Sequence, residues 1–155
     1  VLVEAHVVSF ATGSVDVRPV DDLGLRYRHS DLRPSDIVAR ATFRTSPGDP
    51  AEGEDLMREV TRWRKAHQPG GTLNAGSVFK NPPDDAAGRL IESAGLKGLT
   101  VGGARVSERH ANFIEADRRA TASDIRTLVR EVRRRVRDHL GVDLEPEIAF
   151  VGPFD

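Results

Sequence analysis

Four short stretches carry more polar chemistry than a core needs. Tyr27-Arg28-His29-Ser30 sets an arginine among hydrogen-bonding groups beside a strand end. The rigid donor fork of arginine can stabilise a developing carboxylate or enolate, although a solvated arginine in a turn has the same local sequence. Asn74-Ala75-Gly76-Ser77-Val78-Phe79-Lys80-Asn81-Pro82 surrounds a serine with small residues and adds a cation and an amide. Small neighbours let a ligand approach the backbone closely. A serine donates a proton only to a strongly basic acceptor such as a carbanion or enolate; the plainer reading is a turn with a capping serine. Gly102-Gly103 through His110-Ala111-Asn112 could line a pocket, or His110 could be a half-buried strand residue. Glu145-Pro146-Glu147 holds two carboxylates stiffly, for acid–base work or to keep an edge strand soluble.

Metal chemistry has no support in the pattern. The five histidines lie far apart, and none has a carboxylate or a second histidine at ligand spacing on a helix. With no cysteine, thiolate ligands, disulfides and a cysteine nucleophile are excluded.

Regular elements flank each stretch. Residues 1 to 10 are rich in β-branched side chains, Ala11 to Ser14 read as a turn, and Val15, Val17 and Val20 mark a second extended stretch. Ile37 to Phe43 is another strand. Asp49 as N-cap, Pro50 at the first helical position and Glu52 at capping-box spacing open a helix to about Ala66, with Leu56, Met57, Val60 and Trp63 on one face. A loop over His67 to Ala75 leads to a short extended Ser77 to Lys80. Asp84 or Asp85 is placed to cap a helix with Ala87, Leu90, Ile91 and Ala94, which Gly95 ends. Val101 to Val106 and Ala111 to Ala116 read as short strands. Ile125, Leu128, Val129, Val132, Val136 and Leu140 form one apolar stripe of a helix over Ala122 to Leu140, opened by Thr121 with Asp124 and stopped by Gly141. Glu145 to Gly152 reads as a final strand. This order favours an α+β arrangement over a doubly wound sheet.

The 155 residues suffice for one domain or pieces of two, and 38% hydrophobic with 30% charged residues describes a globular chain. A net charge of -1 gives no electrostatic case for nucleic acid or an anionic membrane. Arg126, Arg130, Arg133, Arg134, Arg135 and Arg137 tempt a nucleic-acid reading, but they mostly line the polar side of an amphipathic helix, and one Trp and one Tyr offer little base stacking. No apolar run is long enough to span a bilayer. The chain begins at Val1 in strand-like sequence, without initiator Met or signal-peptide pattern, so a truncated or excised chain is expected.

The order and spacing of the stretches resemble one family. Tyr27-Arg28-His29-Ser30 is similar to its Tyr-Arg-x-Ser signature, and Gly76 to Pro82 to its Gly-Ser-Phe/Val-Phe-Lys-Asn-Pro motif. Ala87 to Glu92, Gly95 to Gly98, Val101 to Ala104, His110 to Phe113 and Leu144 to Ile148 continue the series. The family is UDP-N-acetylenolpyruvoylglucosamine reductase, a cytoplasmic flavoenzyme of peptidoglycan precursor synthesis, and the match runs from Tyr27 onward.

The resemblance implies that NADPH reduces a bound FAD, which passes hydride to the enolpyruvyl double bond of the UDP-sugar to give UDP-N-acetylmuramate. Arg28 then falls where the family's arginine stabilises the enolate, Glu147 where an acid assists it, and Ser77 where the proton is delivered. Lys65 and Asn81 match substrate-binding residues, the lysine at the diphosphate, and His110 falls at a further substrate contact. The short link from Arg28 to Lys65 resembles the family's short type, which lacks the substrate-covering loop. By the same resemblance, residues 1–66 finish the second FAD-binding region, 67–142 form a small substrate-binding domain, and 143–155 return towards an N-terminal domain. The glycine-rich FAD loops of the family have no counterpart here, so the chain alone is expected neither to hold FAD firmly nor to catalyse. The alternative is a non-catalytic UDP-sugar binding module, against which Arg28, Ser77 and Glu147 speak together. No oligomeric state follows from the sequence.

Overall fold

A computed structural model describes residues 1–153, and the chain divides into two compact units, Val1–Glu54 and Asp55–Asp155. The architecture is α+β, as expected.

The first unit is an antiparallel sheet of three strands, β1 (Leu2–Ser9), β2 (Val15–Pro19) and β3 (Asp36–Phe43), in the order β2-β1-β3. β1 is central because its alternate residues Ala5 and Val7 are buried, with Leu23 covering them and Leu2 and Leu32 at the margin. Ser9 follows in the same alternation, opposite Asp36. The Val20 end of the second extended stretch is corrected: Val20–Leu23 is a 3-10 turn that brings Leu23 under the sheet.

The second unit contains most of helix α1 (Pro50–His67), whose first residues belong to the first unit. Asp49 accepts from the Ala51 amide at 2.8 Å, the expected cap. The predicted apolar face is present but uncovered: Leu56, Met57, Val60 and Trp63 are all exposed. α2 (Ala87–Ser93) and α3 (Ala122–Leu140) pack with a second antiparallel sheet, β4 (Thr100–Val101), β5 (Ala104–Val106) and β6 (Ile114–Ala116), in chain order. Leu128, Val129, Val132 and Val136 of α3 meet Leu90 and Ile91 of α2 and Ala104 and Val106 of β5 in one core. Burying four such side chains from one helix contributes on the order of 1.5–3 kcal/mol each, which fixes α3 despite its arginines. Three of those arginines are paired here: Glu131 accepts from Arg134 and Arg135, Asp138 also accepts from Arg134, and Arg133 reaches Asp143. The two guanidinium groups hold the Glu131 carboxyl down to about 2.

The ends of α3 follow the sequence closely. Thr121 and Asp124 form the reciprocal capping box, and Gly141 closes the helix with its amide bonded to the Arg137 carbonyl. The start of α2 is corrected. Neither Asp84 nor Asp85 caps it; Asp85 binds the Ala86 amide, and Asn81 accepts from the Ala87 amide at 3.0 Å. Asp84 stands at φ 60, which turns the chain between Asn81 and the helix. The final strand is corrected too. Residues 145–147 pair with 78–80 over a short bridge only, through the Glu147 and Lys80 amides.

Among the described residues no helix is long and apolar enough to cross a membrane.

Candidate functional site

In the second unit, Ser77 to Lys80 runs between two other segments. On one side Ser77 pairs with Phe113, and the Val78 amide donates to the Asn112 carbonyl at 2.9 Å. On the other side the Glu147 amide donates to the Val78 carbonyl at 2.8 Å, and the Lys80 amide to the Glu145 carbonyl at 2.9 Å. The segment sits there because Val78 and Phe79, successive residues facing opposite ways, are both buried. Bridges on both sides hold the segment, and Ser77 is its first residue.

Ser77 opens into a cavity of about 370 Å³. Asn81, Gly88, Arg89, Arg109, His110 and Asn112 are among the groups that line it. Three of the predicted residues, Ser77, Asn81 and His110, therefore share one cavity. Asn81 has its Oδ1 engaged at the start of α2.

The His110 ring is set by its neighbours. The Asn112 amide donates to Nδ1 at 3.2 Å, and the Phe113 ring meets the imidazole edge-on at 4.9 Å. A backbone amide can only donate, so Nδ1 accepts and the neutral ring carries its proton on Nε2. Burial pushes the His110 imidazole below its ordinary value, which favours that neutral form. Gly88 permits the arrangement: a Cβ there would stand 3.2 Å from Cε1 of His110.

The remaining predicted residues each lie within one of the two units. Glu147 is fixed through its backbone opposite Val78, next in line to Ser77, and is not among the cavity's lining residues. Lys65 is on α1, and its carbonyl accepts from Arg109 at 3.1 Å, which links its turn to a cavity residue. The ion pair of Lys80 is with Glu145.

Arg28 belongs to the first unit. Arg26 and His29 exchange backbone hydrogen bonds of 3.2 and 3.1 Å, so Tyr27 and Arg28 form the tip of a two-residue turn. Arg28 stands at φ 52, a left-handed conformation that costs a non-glycine residue roughly 1–2 kcal/mol. Asp31 secures the turn, bonded to His29 Nε2 at 2.9 Å and lying 3.6 Å from Arg26. The Arg28 guanidinium lies 6.0 Å from the Tyr27 ring centre.

Arg109 and the structural use of Asn112 escaped the sequence reading. Asn112 bonds to Phe79 across 33 residues, a separation at which no local pattern operates. Arg109 adjoins His110, but nothing local shows that it reaches the carbonyls of residues 65 and 68.

Among the described residues, the paired glycines do not fit an FAD pyrophosphate. The paired glycines Gly102-Gly103 are the nearest approach to a phosphate-cradling turn, and the Asp124 carboxylate fills it. A Cβ on Gly102 would meet that carboxylate at 2.4 Å, and the Gly103 amide donates to it at 3.4 Å. A carboxylate in that place repels an anion.

Among known proteins, the model of the UDP-N-acetylenolpyruvoylglucosamine reductase C-terminal domain matches residues 68–151. The UDP-N-acetylenolpyruvoylglucosamine reductase of Novosphingobium aromaticivorans is 43% identical over 152 residues, 98% of this chain and 51% of the relative. That of Erythrobacter litoralis is 45% identical over 152 residues, covering 98% of this chain and 47% of the relative. The crystal structure of the Thermus caldophilus enzyme superposes with a TM-score of 0.79 at 42% identity, over 94% of this chain and 51% of that one. The chain thus spans about half the length of the relatives it matches. With the family's C-terminal domain matched over more than half of its residues, this chain belongs to the UDP-N-acetylenolpyruvoylglucosamine reductase family.

Proposed function

We propose that this chain is the substrate-side half of a reductase that converts UDP-N-acetylglucosamine enolpyruvate to UDP-N-acetylmuramate in peptidoglycan precursor synthesis, in the cytoplasm. The observation that carries the reading is the cavity in which Ser77, Asn81 and His110 converge, within a chain of this family.

The reaction adds hydride to the terminal carbon of the enolpyruvyl group and a proton to the next carbon. Once hydride has arrived, that carbon is enolate-like and basic enough to take a proton from the Ser77 hydroxyl. Arg28 and Glu147 are assigned to the accumulating charge, Lys65 to the diphosphate, and Asn81 and His110 to substrate binding. The strained turn that presents Arg28 is consistent with a functional constraint on its direction. The reading requires FAD recharged by NADPH, and we assign the holding of FAD to the family's N-terminal half, with residues 1–66 finishing its second FAD-binding region. Residues 67–142 then form the substrate domain, and 143–155 return towards the N-terminal domain; Phe154 and Asp155 lie outside the described residues.

The test uses the full-length reductase that contains this chain. NADPH oxidation should depend on the enolpyruvyl UDP-sugar, and Ser77→Ala should lower kcat by roughly 100-fold or more, from the lower bound of what a positioned proton donor contributes upward. Undiminished turnover in Ser77→Ala sinks the assignment. The isolated chain should purify without the yellow absorbance of flavin and without activity.

A further inference from the structure

We propose that Asn112 is a positioning residue that sets the Ser77 segment and the His110 ring together. It rests on the reading of Ser77 as the proton donor. Three groups of this one residue are engaged, two on the Ser77–Lys80 segment and one on the His110 ring. Its side-chain Oδ1 accepts from the Phe79 amide at 2.9 Å, and its Nδ2 donates to the Phe79 carbonyl at 2.8 Å. Its carbonyl accepts from the Val78 amide at 2.9 Å. Its amide donates to Nδ1 of His110 at 3.2 Å.

The residue is only 4% exposed, so water does not compete for these bonds, and a primary amide is the side chain that can serve a peptide's donor and acceptor at once. Asn112 therefore fixes both backbone polar groups of Phe79, the second residue after Ser77, while its own backbone amide decides which His110 nitrogen carries the proton. Ser77 and His110 line the same cavity, so their mutual placement depends on this residue. Neither needs to touch Asn112's side chain for that to hold.

The test compares Asn112→Asp and Asn112→Ser with wild type in the full-length reductase. A carboxylate accepts from the Phe79 amide but confronts the Phe79 carbonyl with a second acceptor, whereas the protonated acid restores a donor. Asn112→Asp should reduce the enolpyruvyl substrate roughly 10- to 100-fold more slowly at pH 8, the scale of a misplacement of about an ångström. Its rate should recover as pH falls. Reduction of the enzyme by NADPH, which does not use Ser77, should stay within about twofold of wild type; a general loss of fold would impair both. Asn112→Ser, which keeps a donor on a shorter reach, should show the same split without the pH recovery. Nitrogen-15 spectra of the wild-type His110 imidazole should show the Nε2–H tautomer. Substrate reduction within twofold of wild type in a folded variant overturns the proposal, and so does an Nδ1–H tautomer. If wild type itself fails to couple NADPH oxidation to the enolpyruvyl substrate, the functional reading falls. The structural role of Asn112 is then judged by the tautomer and by exchange protection of the Phe79 amide.

Discussion

One guanidinium nitrogen of Arg109 donates to the Lys65 carbonyl at 3.1 Å and to the Gln68 carbonyl at 3.3 Å, binding the end of α1 to the loop that carries His110. The last carbonyls of a helix have no partner within it and lie at the negative end of its dipole, so a cation there is doubly favoured. Arg109→Ala should loosen this turn. Exchange of the Gln68 amide, which donates to the Arg64 carbonyl at 2.8 Å, should quicken about fivefold, corresponding to ~1 kcal/mol for exposed charge-assisted bonds. Arg109→Lys should lose less, since it keeps the charge and a nitrogen donor. Unchanged exchange in Arg109→Ala would show that α1 holds its last turn without this clamp.

The His110 imidazole links stability to pH. Burial lowers its affinity for a proton first; its own carbonyl opposes this, the Lys97 charge adds to it and Glu92 opposes. With the folded value below the unfolded 6.5, the unfolded chain binds the proton more readily. This contribution to stability is complete above pH 6.5 and is lost as pH falls towards the folded value. Urea midpoints of wild type and His110→Gln should therefore converge, or reverse, between pH 7.5 and pH 5.5. A constant difference across that range would refute the linkage.

Gly88 and His110 test the packing beneath that effect. An alanine methyl would stand 3.2 Å from Cε1 of the ring, so Gly88→Ala should push the imidazole outward and lengthen its bond to the Asn112 amide. The ring's titration should then move up towards the ordinary histidine value, read by proton NMR. Alanine also favours the helix by roughly 0.5–1 kcal/mol, so overall stability should change little. A large loss of stability with an unmoved titration would contradict this account.

The capping box of α3 gives a prediction in the acid range. Thr121→Ala should cost about 1 kcal/mol, seen in urea unfolding, and Thr121→Ser far less. Backbone and side-chain bonds from Thr121 hold the Asp124 carboxyl below its ordinary 3.8. Its stabilising effect is present above that pH and fades as pH falls through the folded value. Thr121→Ala should flatten the acid side of the stability profile as well as lower it.

The sequence alone determined the features that depend on local rules. Helix α3 was legible from end to end, because a capping box, an apolar stripe at helical spacing and a terminal glycine each act within a few residues. Ser77, Asn81 and His110 were likewise legible as polar groups embedded in turn and glycine-rich sequence, and motif order tied them to one family. Only the tertiary structure decided what depends on distant partners. The N-cap position expected of Asp84 or Asp85 is held by Ala86, and the Asn81 side chain accepts from the first amide of α2 because the turn brings it there. The expected strand after Glu145 shrank to a bridge, because its pairing partner is short. The Asn112 side chain bonds the amide and the carbonyl of Phe79, 33 residues away, and side-chain periodicity carries no information over that span.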